Sequence, residues 1–358
     1  MNDLPLRRSL LYVLHSGNLY GTERIALATV SGLAAEYAAT IFAPRGPVLE
    51  EARRRGLEVR AFRGPRDLAA QMWPWFRANC HLAFIATGVS HSLIAATLAR
   101  LSRCRVAHLQ VVGGGTDERL SYGRKRLLNR FRVTFVAVSA FVRERLIAHG
   151  VRADRIGVIE NFLAPEQIAA APRRERFVRP GVRRVVVVSR ADPIKKIDLL
   201  LDALDLDEAL SQRLEVRIVG GGSDLDPLRA RAAARNRNVV FAGFVANVPV
   251  ELAASDCLVH LCPVEPFGLA ILESMAADVP VLVADSGGAG ALIDQGISGF
   301  HFRANDAGDL RRRLQELTDA PPALLNRVVD GGRRALESRF SPSARIQDYS
   351  NRLKECRP

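Results

Sequence analysis

The sequence predicts an α/β protein made of two doubly wound parallel-sheet domains that face each other across a cleft. Short apolar segments alternate with longer segments of helical periodicity, which indicates parallel sheets covered by helices on both faces. Residues 164–181 interrupt the alternation with Pro165, Pro172 and Pro180, a composition typical of a domain boundary. The alternation then restarts, and 358 residues are enough for two domains of ordinary size.

The first half contains seven short apolar segments that we expect to form strands. They lie at residues 10–14, 39–43, 58–62, 82–86, 105–110, 135–138 and 157–159. Helical periodicity separates the first five of them, at residues 22–35, 48–55, 67–79 and 91–102. We therefore predict an N-terminal domain at residues 1–175.

The second half repeats the pattern and predicts a C-terminal domain at residues 176–340. Its strands are expected at residues 184–189, 214–219, 239–241, 257–261 and 279–284. The first of these contains four consecutive valines, as expected of a strand buried on both faces. Ligands of such sheets bind at the carboxyl ends of the strands, so the loops that follow these segments are the candidate site.

Two of these loops have the chemistry to hold phosphate groups. Arg190 and Lys195 follow the first strand of the second half, and a guanidinium with an ammonium can clamp a diphosphate. The second strand ends in the glycines 220–222, and glycine lets a backbone approach a ligand closely. Another glycine turn, Gly287-Gly288, follows the fifth strand. We expect all of these loops on one rim of one sheet.

The segment from Glu265 to Glu273 suits the sugar part of a nucleotide sugar. Its two carboxylates can accept hydrogen bonds from sugar hydroxyls, and the amides of Phe267, Gly268 and Leu269 lie at the start of a predicted helix. Oriented amides at a helix N-terminus attract negative or strongly polar ligands. The alternative reading is a helix start that carries ordinary surface glutamates.

Together these residues resemble the nucleotide-sugar domain of glycosyltransferase family 4, a retaining family with the GT-B architecture of two Rossmann-like domains. The resemblance lies in the Arg190–Lys195 spacing, the glycine loop, residues 238–245 and the glutamates at 265 and 273, and it covers residues 183–340. The first half matches less closely, at the turn before the first helix. Residues 340–353 resemble the terminal helix of the family, so we assign residues 341–358, approximately, to the N-terminal domain.

The resemblance implies that Arg190, Lys195 and Glu265 are the catalytic residues. The two cations would neutralise the leaving diphosphate, and Glu265 would bind the donor sugar. It implies front-face transfer with retention, in which a phosphate oxygen helps to deprotonate the acceptor. Such enzymes need no metal and no cofactor besides the nucleotide sugar, which is expected to carry UDP or GDP.

The resemblance also implies a set of nucleotide- and donor-binding residues. Glu273 would hold the ribose hydroxyls, the first-domain residues would present backbone N–H groups near the phosphates, and the remaining amides would line the donor. These residues are Gly21, Thr22, Gly220, Gly221, Gly222, Phe267, Gly268, Leu269 and Glu273.

The sequence departs from the family pattern at several positions. Lys196 and Asp278 stand where the family has glycine, and Ala291 replaces a glutamate. These changes leave the base and acceptor preferences open and permit a non-catalytic nucleotide-sugar-binding protein. In the family a histidine of the first domain contacts the donor sugar, and no residue of this sequence clearly matches it. His91 and His108 are the candidates, and either is equally consistent with an ordinary, partly buried histidine.

The excess positive charge is confined to the first half of the chain. Residues 1–180 have 28 Lys and Arg against 14 Asp and Glu, whereas residues 181–358 have 23 against 24. Between Arg119 and Arg132, six basic residues alternate with apolar ones, which predicts a helix that can lie on an anionic membrane surface. The alternative is a docked helix with a solvated basic face. No DNA- or RNA-binding motif accompanies the charge, so a nucleic-acid partner is not expected.

The remaining features concern the compartment and the acceptor. The five cysteines are scattered without metal-binding or disulfide spacing, and no apolar stretch is long enough to span a membrane. We expect a cytoplasmic protein, at most peripheral to the inner face of the membrane. The expected acceptor is a cell-envelope glycan or a lipid-linked molecule. A small soluble acceptor is the alternative.

Overall fold

The computed structural model describes residues 8–115, 118–235, 237–245 and 247–356. The chain divides into two compact units, the first formed by Met1–Ala164 with Pro342–Pro358 and the second by Pro165–Ser341. Each unit is built around one parallel sheet. The predicted fold class of two Rossmann-like α/β domains is thus confirmed.

The first unit has a seven-stranded parallel sheet in the order β3-β2-β1-β4-β5-β6-β7. Its strands are β1 Arg8–Val13, β2 Tyr37–Ala43, β3 Glu58–Ala61, β4 His81–Ala86, β5 Arg105–Val112, β6 Thr134–Ala137 and β7 Ile156–Val158. Its helices are α1 Gly21–Leu33, α2 Pro47–Arg54, α3 Pro65–Ala78, α4 Val89–Ser102, α5 Glu118–Ser121 and α6 Ala140–Ala148, with 3-10 turns at Gly123–Arg130 and Ala153–Arg155. The strand order reverses between β1 and β4, which are hydrogen-bonded neighbours.

The second unit has a six-stranded parallel sheet in the order β10-β9-β8-β11-β12-β13. Its strands are β8 Arg184–Val188, β9 Glu215–Val219, β10 Val239–Gly243, β11 Cys257–His260, β12 Val281–Ala284 and β13 Phe300–Phe302. Its helices are α7 Pro165–Ala170, α8 Ile197–Asp205, α9 Glu208–Arg213, α10 Leu225–Ala234, α11 Val248–Ala253, α12 Leu269–Ala276, α13 Gly287–Gly290, α14 Ala307–Thr318 and α15 Pro322–Glu337, with a 3-10 turn at Pro193–Lys195. Here the strand order reverses between β8 and β11.

The last helix, α16 Pro342–Glu355, belongs to the first unit. Ser350 and Lys354 both bond the carboxylate of Glu36, at 2.6 Å in each case. A Cβ placed on Gly32 of α1 would lie 2.3 Å from the Ile346 side chain, so the absence of a side chain at Gly32 lets the two helices approach closely. The chain therefore closes the first unit with its final helix.

The sequence pattern misplaced or missed three local elements. β13 is only three residues long, and no apolar run marks it. The predicted linker contains α7, and its later part, which includes the buried Phe177, packs on the second core. The basic segment predicted as one helix consists instead of the four-residue α5 and the 3-10 turn Gly123–Arg130. A single amphipathic face is thus not formed there.

Candidate functional site

Lys195 and Glu265 meet at the point where the second sheet reverses its strand order. Lys195 ends the 3-10 turn that follows β8, and Glu265 lies in the loop that follows β11, the neighbouring strand. The ammonium Nζ lies 2.5 Å from the carboxylate Oε2, and the two side chains are only 16% and 17% exposed. Such a switch point is where ligands of doubly wound sheets bind. The ion pair therefore occupies the expected position for a site.

His260 adds a third titratable group that the sequence reasoning missed. It is the last residue of β11, is buried, and its Nε2 lies 3.7 Å from Glu265 Oε2. Its Nδ1 has no hydrogen-bond partner among the described residues. Burial lowers the pKa of His260 despite the adjacent carboxylate. Its place at the carboxyl end of a strand beside the predicted site was the signal available in the sequence.

The Glu265 carboxylate is held in its ionised form. Burial on its own would raise the pKa of Glu265, but the charges of His260 and Lys195 and the hydrogen bond from Lys195 outweigh burial and lower it. The Cys262 thiol adds a further hydrogen bond to the same carboxylate. Glu265 therefore presents an ionised acceptor of hydrogen bonds at neutral pH, as binding of sugar hydroxyls requires.

The segment after Glu265 bends sharply into a helix. Gly268 has a φ of 99°, a conformation that favours glycine, and α12 begins at the next residue, Leu269. A Cβ on Gly268 would lie 3.6 Å from His260 Nε2. Phe267 is buried edge-on against Phe340, with ring centroids 6.1 Å apart, and this contact anchors the bend. Gly268, at this helix start, thus lies beside the His260 ring. Glu273 lies one turn further along α12 and is half-buried.

The predicted glycine turn after the fifth strand supports the Glu265 backbone. The Gly288 N–H donates to the Glu265 carbonyl at 2.7 Å, and the Ser286 hydroxyl donates to the Pro263 carbonyl at 2.8 Å. Gly287 has a φ of 69°, and a Cβ there would lie 2.9 Å from the Pro263 carbonyl oxygen. Two loops that the sequence predicted on one rim are therefore in direct contact.

The glycine loop after β9 packs against the loop that carries Arg190. The Ala191 N–H donates to the Gly221 carbonyl at 2.9 Å. Gly220 has a φ of 137°, and a Cβ there would lie 2.0 Å from the Ser189 carbonyl oxygen, a separation that no side chain tolerates. A Cβ on Gly222 would similarly lie 2.4 Å from the Ala191 carbonyl oxygen. Glycine is thus required at 220 by the close approach of the two loops.

Arg190 lies near this contact but does not join the Lys195–Glu265 pair. Its guanidinium pairs with Asp192 at 2.8 Å, and its side chain is 65% exposed. An exposed ion pair of this kind is weak, so the guanidinium can be redirected at little cost. The structure therefore brings Lys195 and Glu265 together, while Arg190 is turned toward its own loop.

Two of the departures from the family pattern lie in the left-handed backbone conformation that favours glycine. Lys196 has a φ of 57° and precedes α8, and Asp278 has a φ of 59° after α12. Left-handed backbone of this kind costs about 1–2 kcal/mol for residues other than glycine. Asp278 forms a short ion pair with Arg333, which offsets part of that cost.

The two predicted residues of the first unit lie at the start of α1. Gly21 is the first residue of this helix and Thr22 the second. The preceding residue, Tyr20, donates its backbone N–H to Glu23 Oε2 at 3.3 Å, which caps the helix. A Cβ on Gly113, just after β5, would lie 3.4 Å from Thr22 Oγ1. Thr22 thus faces the loop at the carboxyl end of the first sheet.

The two candidate histidines of the first unit have different surroundings. His108 is buried in β5, where its Nε2 lies 2.8 Å from the Ser92 hydroxyl and burial lowers its pKa to about 3. These contacts are those of a structural histidine. His91, near the start of α4, is also buried, and its Nδ1 has no hydrogen-bond partner among the described residues.

Two family models match the chain in succession. The model described as Glycosyltransferase Family 4 matches residues 20–167, and the model described as Glycosyl transferases group 1 matches residues 172–335. The first match covers six of the seven strands of the first sheet, β2 to β7, and the second match covers all six strands of the second sheet. The glycine loops and the Lys195–Glu265 pair all lie within the second match.

Relatives with assigned names match about half of the chain. The D-inositol 3-phosphate glycosyltransferase of Streptomyces bingchenggensis is 32% identical over 186 residues, 48% of this chain and 40% of that protein. The GDP-mannose-dependent alpha-(1-6)-phosphatidylinositol monomannoside mannosyltransferase of Mycobacterium tuberculosis is 31% identical over 204 residues, 54% of this chain and 50% of that protein. The matched region thus spans half or less of the length of these relatives.

Solved structures match nearly the whole fold. HepE of Anabaena, determined in complex with UDP-glucose, aligns with a TM-score of 0.79 and 20% identity over 97% of this chain and 99% of its own. The lipopolysaccharide outer core galactosyltransferase WaaB aligns with a TM-score of 0.73 and 14% identity over 97% and 99%. At these identities the likeness concerns the fold. Among the described residues, no helix is both long and apolar enough to cross a membrane.

Proposed function

Because the chain belongs to glycosyltransferase family 4, we propose that it transfers a sugar from a UDP- or GDP-linked donor to a hydroxyl of a cell-envelope glycan or lipid-linked acceptor. The observation that supports this proposal best is the buried Lys195–Glu265 pair at the strand reversal of the second sheet. One switch-point loop supplies a cation for phosphate and the neighbouring loop supplies a carboxylate for hydroxyls. A nucleotide sugar presents both groups.

In this proposal the charged residues act on the leaving group and the donor sugar. The Lys195 ammonium stabilises the negative charge that develops on the leaving diphosphate, and Arg190 turns from Asp192 to join it. Ionised Glu265 accepts hydrogen bonds from the donor sugar, while the amides at residues 267–269 contact the same molecule. Glu273 holds the ribose. No metal is required in this scheme, because the cations and oriented amides do the electrostatic work.

The proposed transfer retains the anomeric configuration. The bond between the anomeric carbon and the acceptor oxygen forms on the face from which the bond to the phosphate oxygen breaks. The acceptor hydroxyl passes its proton to that departing phosphate oxygen, so the products are the glycoside and the protonated nucleoside diphosphate. We assign no protein residue as a general base in this step.

The composition of the basic segment favours a lipid-linked acceptor. Although the segment is not one helix, Leu120 and Leu127 are exposed beside the exposed Arg119, Arg124 and Arg126. Exposed leucines among arginines suit the boundary between anionic headgroups and acyl chains. The M. tuberculosis relative named above acts on a phosphatidylinositol monomannoside, which is a membrane lipid.

Liposome sedimentation tests this part of the proposal. We expect binding that requires anionic lipid, weakens with salt and is reduced by Arg124→Glu/Arg126→Glu. An equal charge change on exposed arginines of α2, Arg53→Glu/Arg54→Glu, is the matched control. Equal binding to neutral and anionic vesicles, or equal loss in the control, would instead favour a small soluble acceptor.

Transfer assays test the donor site itself. A thermal-shift panel of UDP- and GDP-sugars identifies the donor, because a ligand that binds the native state raises its melting temperature. With that donor, Lys195→Ala and Glu273→Ala are expected to reduce donor turnover by roughly 10²–10³-fold. Arg229→Ala, which removes an exposed side chain paired with Asp226, is the control. Full activity in both variants would contradict the site, and binding without turnover in the wild type would support the non-catalytic alternative.

A further inference from the structure

The first unit has a cavity at the edge of its sheet where the strands begin. Its volume is about 450 Å³, which lies in the range of about 300–1,000 Å³ that is typical of small-molecule pockets. The first residues of β1, β2, β4 and β5 line it, together with Leu353 of α16. Ligands of doubly wound sheets bind at the other edge, where the strands end. The cavity is therefore separate from the edge that Thr22 faces.

The register of the strands places the polar side chains of the cavity on one face of the sheet. Arg8 of β1 is aligned with Tyr37 of β2, and His81 of β4 is aligned with Arg105 of β5. Two residues further on, β1 and β4 are aligned with each other. Aligned residues of parallel strands share a face, and each face recurs at every second residue, so all four side chains lie on the same face. The Arg8 side chain also hydrogen-bonds the Tyr37 hydroxyl.

The cavity combines an apolar floor with a basic mouth. The floor consists of buried residues, namely Tyr37, Leu82, Ala83, Ala107 and Leu353. The mouth consists of exposed residues that can donate hydrogen bonds, namely Arg8, His81 and Arg105. A ligand that is complementary to both parts has an apolar body and one anionic end.

The carboxylate of Glu36 does not neutralise this mouth. Glu36 immediately precedes β2, but the Ser350 hydroxyl and the Lys354 ammonium each bond its carboxylate at 2.6 Å. Because Glu36 and Lys354 together form a neutral pair, the mouth keeps the charges of Arg8 and Arg105. Neither arginine forms an ion pair with a carboxylate among the described residues. The mouth is thus complementary in charge to an anion.

We propose that this cavity binds a single-chain amphiphile with one anionic end, an aliphatic carboxylate or an alkyl phosphate. Its chain lies on the apolar floor, Arg8 and Arg105 bind its head through charge-assisted hydrogen bonds, and His81 donates a further one. The floor is buried, so the chain reaches it as a free molecule and not from within a bilayer. This inference is independent of the proposed transferase function, whose donor site lies in the second unit.

Isothermal titration with decanoate and with decyl phosphate, each below the concentration at which it forms micelles, tests this inference. We expect at least one of them to bind, and decyltrimethylammonium, which has the same chain and a cationic head, not to bind. Arg8→Gln/Arg105→Gln should weaken the binding by at least roughly tenfold, because it removes both charged donors. Arg53→Gln/Arg54→Gln, which changes two exposed arginines of α2, is the matched control and should leave the affinity unchanged.

A second variant tests the apolar floor. Ala107→Phe places a ring in the cavity and should abolish binding of both anions, with the fold verified by circular dichroism. Binding of decanoate alone identifies the ligand as a carboxylate, and binding of decyl phosphate alone identifies it as a phosphate.

Four results would overturn the inference. They are no binding of either anion, equal affinity for the cationic amphiphile, unchanged affinity in Arg8→Gln/Arg105→Gln, and displacement of the bound anion by UDP or GDP. Sedimentation with anionic phosphatidylglycerol vesicles separates a membrane contact from the cavity. If the arginine variant loses vesicle binding while the wild type binds no free amphiphile, the mouth contacts a membrane surface instead. The transferase proposal has a separate readout, because it depends on nucleotide binding and sugar transfer.

Discussion

Two lysines, one in each unit, are in contrasting electrostatic states. In the second unit, Lys195 lies 2.5 Å from a carboxylate that follows the neighbouring strand. In the first unit, Lys125 is buried with a carbonyl oxygen at 3.5 Å and no carboxylate partner among the described residues. A paired cation is held in place before any ligand arrives, whereas an unpaired buried cation is stabilised only when an anion binds. A lysine therefore stabilises the folded protein in the second unit and destabilises it in the first.

The largest effect that we expect comes from the loop that positions the paired site. Gly220→Ala would place a Cβ 2.0 Å from the Ser189 carbonyl oxygen at a φ of 137°. We expect it to lower the free energy of unfolding by roughly 3 kcal/mol and to weaken donor binding strongly. Urea denaturation and thermal shift with the donor measure both effects.

Gly221→Ala is the matched control for this loop. A Cβ on Gly221 meets no atom within 4 Å. The substitution should therefore change stability by less than about 1 kcal/mol. If Gly220→Ala and Gly221→Ala lose the same free energy of unfolding, the close packing of these two loops does not hold the second-unit site in place before a ligand binds. The site would then be no more rigid than we assume for the first unit.

The next largest effect concerns the paired lysine. Lys195→Met leaves the Glu265 carboxylate largely buried without its cation, and we expect the free energy of unfolding to fall by about 2–3 kcal/mol. The double variant Lys195→Met/Glu265→Gln should recover most of that loss. Chemical denaturation at pH 7 measures the free energy of unfolding of the wild type, the single variant and the double variant. A single variant as stable as the wild type would show that the ion pair contributes nothing.

The dependence of the free energy of unfolding on acid pH tests the same ion pair. The pKa of Glu265 is lower in the folded state than its ordinary value of 4.5, so the unfolded chain holds more protons below that value. The stabilisation is complete above pH 4.5 and is lost as pH falls through the folded pKa. Part of this acid sensitivity should be absent in Lys195→Met/Glu265→Gln.

Lys125, which has no carboxylate partner among the described residues, should respond with the opposite sign. Lys125→Met removes a buried charge, and we expect the free energy of unfolding at pH 7 to rise by about 1–2 kcal/mol. The folded pKa of about 8 lies below the ordinary 10.5, so the unfolded chain holds more protons between these values and the stability of the wild type rises with pH across that window. The advantage of the variant should therefore shrink toward pH 10.5. A destabilised variant at pH 7 would contradict the contrast.

The smallest effect tests the strain beside the paired site. Lys196→Gly replaces a residue held at a φ of 57° and should stabilise the protein by up to about 1 kcal/mol. Asp278→Gly relieves the same backbone strain but loses the ion pair with Arg333, so it should gain less. Melting temperatures of the two variants measure the difference.

The sequence predicted the parallel sheets and the meeting of the loops that carry Lys195 and Glu265. The valine run of β8 and the alternation of strands with helices indicated a parallel sheet, and loops that follow strands of one sheet meet at one edge. Lys195 and Glu265 were expected together on this basis. Their adjacency required the strand order, which places β8 beside β11 and which the sequence pattern does not contain.

The surroundings of Lys125, His260 and Arg190 could not be predicted, because the periodicity of apolar residues does not show which polar side chains are buried or which partner they choose. Lys125 lies in a run of basic residues that predicted a solvated or membrane-facing helix, but the chain breaks at Tyr122-Gly123 into a 3-10 turn that buries Tyr122, Lys125 and Leu128. His260 ends an apolar strand, where a histidine is also an ordinary core residue. Arg190 was expected to point at a ligand, and its pairing with Asp192 is a local choice of side-chain conformation.

Isothermal titration of UDP and GDP into the wild type, Lys195→Met and Lys125→Met tests the central claim most directly. The claim is that the strand reversal of the second sheet binds the donor nucleotide through Lys195. We predict that one of the two nucleotides binds the wild type, that Lys195→Met weakens this binding by at least roughly tenfold, and that Lys125→Met leaves it unchanged. Unchanged affinity in Lys195→Met, with its fold verified by circular dichroism, would contradict the claim.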